Sequence, residues 1–249
     1  MRRYFLAVAC CGALLAQEKE QALGHAMAVD LRRQNRIVDD DLLAGYLRTM
    51  VTRLDAVARS PFPLTVEILG SAKPRSEPVA FPGGYLFVSL GMIAAAESEA
   101  ELAGALAHGL AHIAARHGTR SAWQGQREGI SPIPLIFVGG WANPDDEGQV
   151  LIPAGSREHQ RRYEEEADRL AAEWMARVGY PPSAWAAYLG RMRPASLQPL
   201  SERVAAIARV AGPKSESAHG MFAAAKARAR ELLGPGPAAK RPSLQRAPL

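Results

Sequence analysis

Apolar residues recur at helical spacing through most of the chain. Leu102, Leu106, Leu110 and Ile113 fall three or four residues apart in ESEAELAGALAHGLAHIAARHG, so one face of a helix over 97–118 is apolar. Ser98 followed by Glu101 makes a capping-box start, and Gly118 is a natural stop. Leu23, Met27, Val29 and Leu31 predict a helix over 18–36. Leu43, Leu47, Val51, Leu54 and Val57 predict a second, capped by one of Asp39 to Asp41 and broken at Ser60-Pro61. Further on, Leu170, Trp174 and Val178 form the inner stripe of a helix over 156–179, and shorter helices follow over 185–192, 201–210 and 217–233.

Two stretches follow the other period. LTVEIL (64–69) alternates as a half-buried strand does. In VAFPGGYLFVSLGMI, Phe81-Pro82-Gly83-Gly84-Tyr85 is a turn, because proline fixes one central torsion and glycine accepts a positive φ. It joins a short strand, Val79–Phe81, to a longer one, Tyr85–Ser89, from which the chain enters the helix over 97–118. The expected class is α+β, mostly helical, with a small sheet whose edge strand lies beside that helix.

The N-terminal MRRYFLAVACCGALLA has two arginines, an apolar run and a small-residue exit, the layout of a signal peptide over 1–16. LAVAC loosely resembles a lipobox, which makes Cys10 a candidate lipoprotein anchor. Cys10 and Cys11 are the two cysteines, so a processed chain has no disulfide or thiolate metal site. The net charge of +5 is carried by Arg2, Arg3, Lys240, Arg241 and Arg246, outside a formally neutral 17–234, and indicates no nucleic-acid partner. Residues 119–155 read as a lid or insertion loop, and 235–249 as a disordered, proline-rich tail behind a C-terminal helical stretch over 212–234.

Within the helix over 97–118, His108 and His112 are four residues apart and leave the same face, where two imidazoles can grip one zinc ion. In H-E-x-x-H zincins the residue after the first histidine is a glutamate that serves as general base; here it is Gly109. His117, nine residues past His108, projects to the opposite side of a continuous helix and is a poor third ligand. Glu164 and Asp168 in YEEEADR are one turn apart on one face. Glu164 is therefore a candidate ligand and Asp168 a candidate partner that orients a histidine, while Glu165 and Glu166 read as a solvated acidic face.

In this order, LGHAM, FPGGYLFVSLGMI, ELAGALAHGLAHIAARHG and EEEADRLAAEWMARVGYPP resemble the gluzincin zinc metalloendopeptidases of peptidase family M48, the group of the CAAX prenyl, Oma-type and BepA-like proteases. The resemblance covers roughly 22–211. It implies a zincin-like domain over 17–211, one Zn2+ held by His108, His112 and Glu164, Asp168 behind a histidine, and substrate peptide paired with the edge strand Val79, Ala80, Phe81. Three departures stand out: Gly109 at the base position, Leu197 or Gln198 where relatives carry a histidine before the proline, and Val79 in place of asparagine. The expected protein is an exported, periplasmic or otherwise extracytoplasmic metalloendopeptidase of impaired catalysis acting on envelope or misfolded proteins. Peripheral membrane association fits the same picture. Residual hydrolysis would then rest on zinc polarisation, or on a lid carboxylate such as Glu128 or Asp145. The alternative is a pseudoprotease serving as chaperone or adaptor.

Overall fold

The structure is a computed structural model describing residues 2–73, 77–120, 154–192, 199–214 and 220–234. Its elements are α1 (Arg2–Gln34), β1 (Ile37–Val38), α2 (Asp41–Ala58), β2 (Thr65–Leu69), β3 (Val79–Phe81), β4 (Tyr85–Ser89), α3 (Leu90–Ala95), α4 (Glu99–Ala114), α5 (Ala154–Arg177), α6 (Pro182–Met192), α7 (Leu200–Ala208) and α8 (Met221–Leu233). The class is α+β and mostly helical, as the apolar periods imply. The sections assigned to the lid (121–153) and the tail (235–249), together with Glu128, Asp145, Leu197 and Gln198, lie outside the described residues.

The sheet has the order β1-β2-β4-β3, so β3 is an edge strand. β2 runs parallel to β4, with Thr65 opposite Tyr85 and Leu69 opposite Ser89. β3 returns antiparallel onto β4, pairing Val79 with Phe87 and Phe81 with Tyr85. The hairpin turn uses the torsions its glycines permit, with φ of 77° at Gly83 and 101° at Gly84. β1, two residues long, is too short for any periodicity to reveal.

Strand alternation sorts side chains to two covered faces rather than one. Ile68, Ala80, Leu86 and Val88 enter the main core with α2 and α4, while Leu69, Val79, Phe81 and Phe87 meet Ala28 and Leu31 of α1. LTVEIL is thus a covered strand, and its polar Glu67 is accounted for by Arg32 of α1, whose Nε donates to Oε2 at 3.0 Å. The helix expected over 18–36 begins at Arg2 instead. Among the described residues, no helix is long and apolar enough to cross a membrane.

Two N-caps read from the sequence are made. Asp40 accepts from the Leu43 amide at 3.0 Å, and Ser98 from the Glu101 amide at 3.2 Å. The chain does not pass straight from β4 into the histidine helix: Ser89 first caps the short α3 by accepting from the Met92 amide at 3.1 Å. α8 packs on α2 and α3, and its Arg228 Nε donates to Asp40 Oδ2 at 2.7 Å. The inner stripe of α5 is Ala167, Ala171, Trp174 and Met175; Leu170 and Val178 sit at its margin.

α4 is the centre of the molecule. Every residue from Glu99 to Ile113 is buried, the pattern of a helix surrounded by other elements rather than lying on a surface. Alanine and glycine make this possible by letting neighbours approach closely. A Cβ on Gly104 would stand 2.6 Å from Trp185 Cβ and 3.1 Å from its Cα on α6. Gly104→Ala therefore destabilises the fold by about 1–3 kcal/mol of overpacking strain, outweighing a gain of about 1 kcal/mol in helix propensity. Gly190→Ala, at an exposed α6 position with no atom within 4 Å of the new methyl, stabilises by about 0.5–1 kcal/mol. Urea unfolding of the two variants reads this opposite pair of signs.

Candidate metal centre

α4 delivers His108 and His112 from adjacent turns, their ring centroids 4.7 Å apart and their Nε2 atoms 3.0 Å apart. Both rings are almost fully buried. α5 crosses against this face and brings in Glu164, with Oε2 3.4 Å from His108 Nε2 and Oε1 3.6 Å from His112 Nε2. One donor atom from each of the three residues lies within 4.8 Å of the other two. Two imidazole nitrogens and one carboxylate oxygen are a donor set that suits zinc.

One turn along α5, the fully buried Asp168 places Oδ1 2.9 Å from His108 Nδ1, the nitrogen facing away from Glu164. Its carboxylate also accepts from Trp185 Nε1 at 3.1 Å, and from Arg203 Nε and Nη2 at 2.6 and 2.9 Å. Arg203 in turn lies 2.7 Å from Glu77 Oε1 and 3.5 Å from Glu164 Oε2. Glu77 Oε1 stands 3.7 Å from His108 Nε2. Arg203 and Glu77 are absent from the sequence reading. Arg203 left one trace there, since it falls on the apolar stripe of α7 between Leu200 and Ile207. Glu77 left none, because the stretch over 71–78 reads as a polar connector.

Charge counting tests whether an ion fits. Glu77, Glu164 and Asp168 are three buried or nearly buried carboxylates, and Arg203 is the guanidinium among them. With neutral imidazoles the cluster carries a surplus of two negative charges, which a divalent cation cancels. Glu164 Oε2 is buried without a hydrogen-bond partner, on the side where the two Nε2 atoms converge. In the metal-free protein the cluster draws a proton instead. Burial opposes charge on His108, but Glu77 and Asp168 overrule it and raise its pKa to about 10. Burial carries His112 down to about 4. Burial by itself would raise Glu164; His112, His108 and Arg203 hold it below the usual carboxylate range. Desolvation dominates at Glu77 and pushes it up.

His117 and Glu166 need correction. α4 ends at Ala114, and Arg116 adopts the left-handed region at φ 57°. The rotation of 100° per residue that puts His117 on the far side therefore stops before reaching it. His117 Nδ1 comes back to 3.0 Å from His112 Nδ1, and its Nε2 stands 3.1 Å from Glu166 Oε2. Glu166, read as solvated, is half-buried and also accepts from Arg120 Nη1 at 2.9 Å. Glu165 is exposed. A cation held by His112 Nε2 would leave that ring's proton on Nδ1 to donate to His117, whose Nε2–H would donate to Glu166. Both histidines of α4 are thus braced from behind, His108 by Asp168 and His112 by His117.

β3 lies next to α4, and Ala80, Phe81 and Pro82 share a small recess with His112, Glu20 and Arg116. The space around Gly109 is filled: a Cβ there would stand 2.6 Å from Pro78 Cγ and 2.7 Å from Leu86 Cδ1.

A rigid proline ring yields less readily than the tip of a leucine. Gly109→Ala is therefore expected to cost about 1–2 kcal/mol by urea unfolding, net of its helix-propensity gain, and Pro78→Ala in the same chain should recover most of that loss. Asp168→Asn weakens the acceptor of three buried donors, Trp185 Nε1 and Arg203 Nε and Nη2, and should cost about 1–3 kcal/mol. Measured by chelator competition, Asp168→Asn should also weaken metal affinity by roughly tenfold to a hundredfold.

A model of Peptidase family M48 matches residues 41–241. The chain is similar to the beta-barrel assembly-enhancing protease of Yersinia pestis, at 28% identity over an alignment 195 residues long that covers 73% of this chain and 39% of that protein. The same-named protease of Escherichia coli (strain K12) is 26% identical over 195 residues, with the same shares covered. The chain therefore spans about two fifths of the length of these relatives. The family match runs from α2 through α8 and includes both α4 histidines and the α5 carboxylates: the chain belongs to peptidase family M48.

Proposed function

We propose that the protein is an exported zinc endopeptidase whose substrates are polypeptides of the cell envelope, turning over more slowly than family members that keep a glutamate after the first histidine. The observation that carries this reading is the convergence of His108, His112 and Glu164 on one point inside a cluster with two surplus negative charges. Bound there, zinc would polarise a scissile carbonyl and make water a better nucleophile. The chain's own residues hold the donors in place. Asp168 fixes the ring of His108, His117 fixes that of His112, and Arg203 neutralises the carboxylates that remain.

The edge strand supplies the substrate track. Among the described residues no strand pairs with the outer side of β3, and Ala80 and Phe81 open into the recess beside His112. An extended peptide added antiparallel or parallel to β3 would run past the metal donors. Export rests on the layout of 1–16, and Cys10 remains the candidate for lipid attachment. The envelope as the place of action rests on the names of the relatives, which are beta-barrel assembly-enhancing proteases.

A second reading, a pseudoprotease that holds client proteins without cutting them, is favoured by one observation: Gly109 has no side chain and its surroundings admit none without displacement. Hydrolysis separates the two. Purified protein is expected to contain about one zinc per chain, and His112→Ala or Glu164→Gln should lose it. The zinc-loaded wild type should cleave unfolded casein slowly, and both ligand variants should be inactive. A wild type that binds no zinc ends the metalloprotease reading; one that binds zinc and client yet leaves it intact establishes the pseudoprotease.

A further inference from the structure

Gly109 removes the carboxylate that ordinarily stands beside the first histidine, but the neighbourhood of His108 is not short of carboxylates. Glu77 is 2% exposed, comes from the segment leading into β3, and points Oε1 to within 3.7 Å of His108 Nε2, the nitrogen that faces Glu164. Its approach and the missing side chain are parts of one arrangement. Pro78, the residue after Glu77, puts its ring into the volume that a side chain at position 109 would use, 2.6 Å from the Cβ position. The strand lead-in occupies the space beside the glycine, and Glu77 is the residue next to the proline that fills it.

We propose that Glu77 is the catalytic carboxylate of this chain, substituting from the β3 lead-in for the base that α4 lacks. The inference rests on the metalloprotease reading above. Three features give the assignment its content. Arg203 Nη1 lies 2.7 Å from Glu77 Oε1 and balances its charge without a hydrogen bond of good geometry. Glu77 Oε1 has no hydrogen-bond partner of good geometry despite being buried, so it has acceptor capacity to give. Glu77 does not join His108, His112 and Glu164 in the set of donors that fit a single ion, which places it beside the ion site rather than in it.

In the reaction, Glu77 takes a proton from the attacking water as the water oxygen bonds to the scissile carbonyl carbon. The same proton passes to the amide nitrogen as the C–N bond breaks. The carboxylate ends as it began, and no oxidant, reductant or further reactant is required. Because Glu77 precedes Val79 by two residues, the strand that would hold the peptide and the group that would accept the proton are one continuous piece of chain.

The test uses the full chain loaded with zinc, with casein as substrate and a chelating dye for metal affinity. Glu77→Gln is expected to lower kcat by roughly a hundredfold to ten-thousandfold with KM unchanged. It should keep one zinc per chain and an affinity well within the tenfold loss typical of a disturbed ligand shell. Should the glutamine variant fail to fold, Glu77→Asp keeps the charge opposite Arg203 while withdrawing the carboxylate, and must lose at least about tenfold in kcat. Cleavage by folded Glu77→Gln at the wild-type rate overturns the assignment. A zinc affinity reduced tenfold or more also overturns it, because Glu77 would then be a ligand. A zinc-loaded wild type that cuts nothing overturns the assignment and leaves the metal site standing, whereas a wild type without zinc removes the metalloprotease reading itself.

Discussion

The interaction on which the rest depends is the buried pair between Asp168 and Arg203. A single carboxylate from α5 meets His108 of α4, Trp185 of α6 and Arg203 of α7, so four helices are joined through two oxygens. Withdrawing such a pair from water costs several kcal/mol per ion, and a well-packed apolar substitute is often as stable. What the pair supplies is direction. It fixes the azimuth at which α4 presents His108, and through Arg203 it restrains the two other carboxylates of the cluster. Burial of the α4 face and the geometry of the metal donors are consequently one problem with one solution.

The sheet bears on a second constraint, holding the proposed peptide track and the proposed catalytic carboxylate close to one point. β3 is short and lies at the edge, but it is covered on one face by α1 and on the other by the helical core. Its side chains are fixed, and among the described residues no strand pairs with its outer edge. Fixing the strand fixes Pro78 and Glu77, which lead into it. The Arg32–Glu67 pair contributes at a distance by tying α1 to β2. α1 reaches the mouth of the site as well, where Glu20 accepts from Arg116 Nε at 2.7 Å, next to the left-handed turn that redirects His117.

Much of this was legible in the order of residues, and the exceptions share a cause. The helices, the hairpin and the face shared by His108 and His112 follow from periodicity and turn chemistry, which are local. Glu164 and Asp168 were legible because they also lie one turn apart on one helix. His117 was misread because the spacing argument assumes a helix that continues, and nothing local announces a left-handed arginine at 116. Glu166 was assigned to solvent because the partners that cover it, His117 and Arg120, arrive from that same unforeseen turn. Arg203 could have been flagged as a charge on an apolar stripe, but its partners are 35 and 126 residues away in the chain. Glu77 meets Arg203 and His108 through contacts just as distant in the chain.

Gly109 shows how a deletion in sequence differs from a deletion in space. In a surface helix, glycine at this position would cost about 1 kcal/mol and leave a groove. In α4, packing on every side holds the helix regardless, so the propensity cost is absorbed where the burial is greatest. The groove itself is not left empty, because Pro78 and Leu86 occupy it at distances that a methyl group could not share. Restoring a glutamate at 109 would therefore add a carboxylate and displace the β3 lead-in at once. It would disturb β3, Glu77 and the contact of Glu77 with Arg203 together. The site is packed around the glycine, and the carboxylate nearest to His108 Nε2 after Glu164 is the one that precedes the proline filling that space.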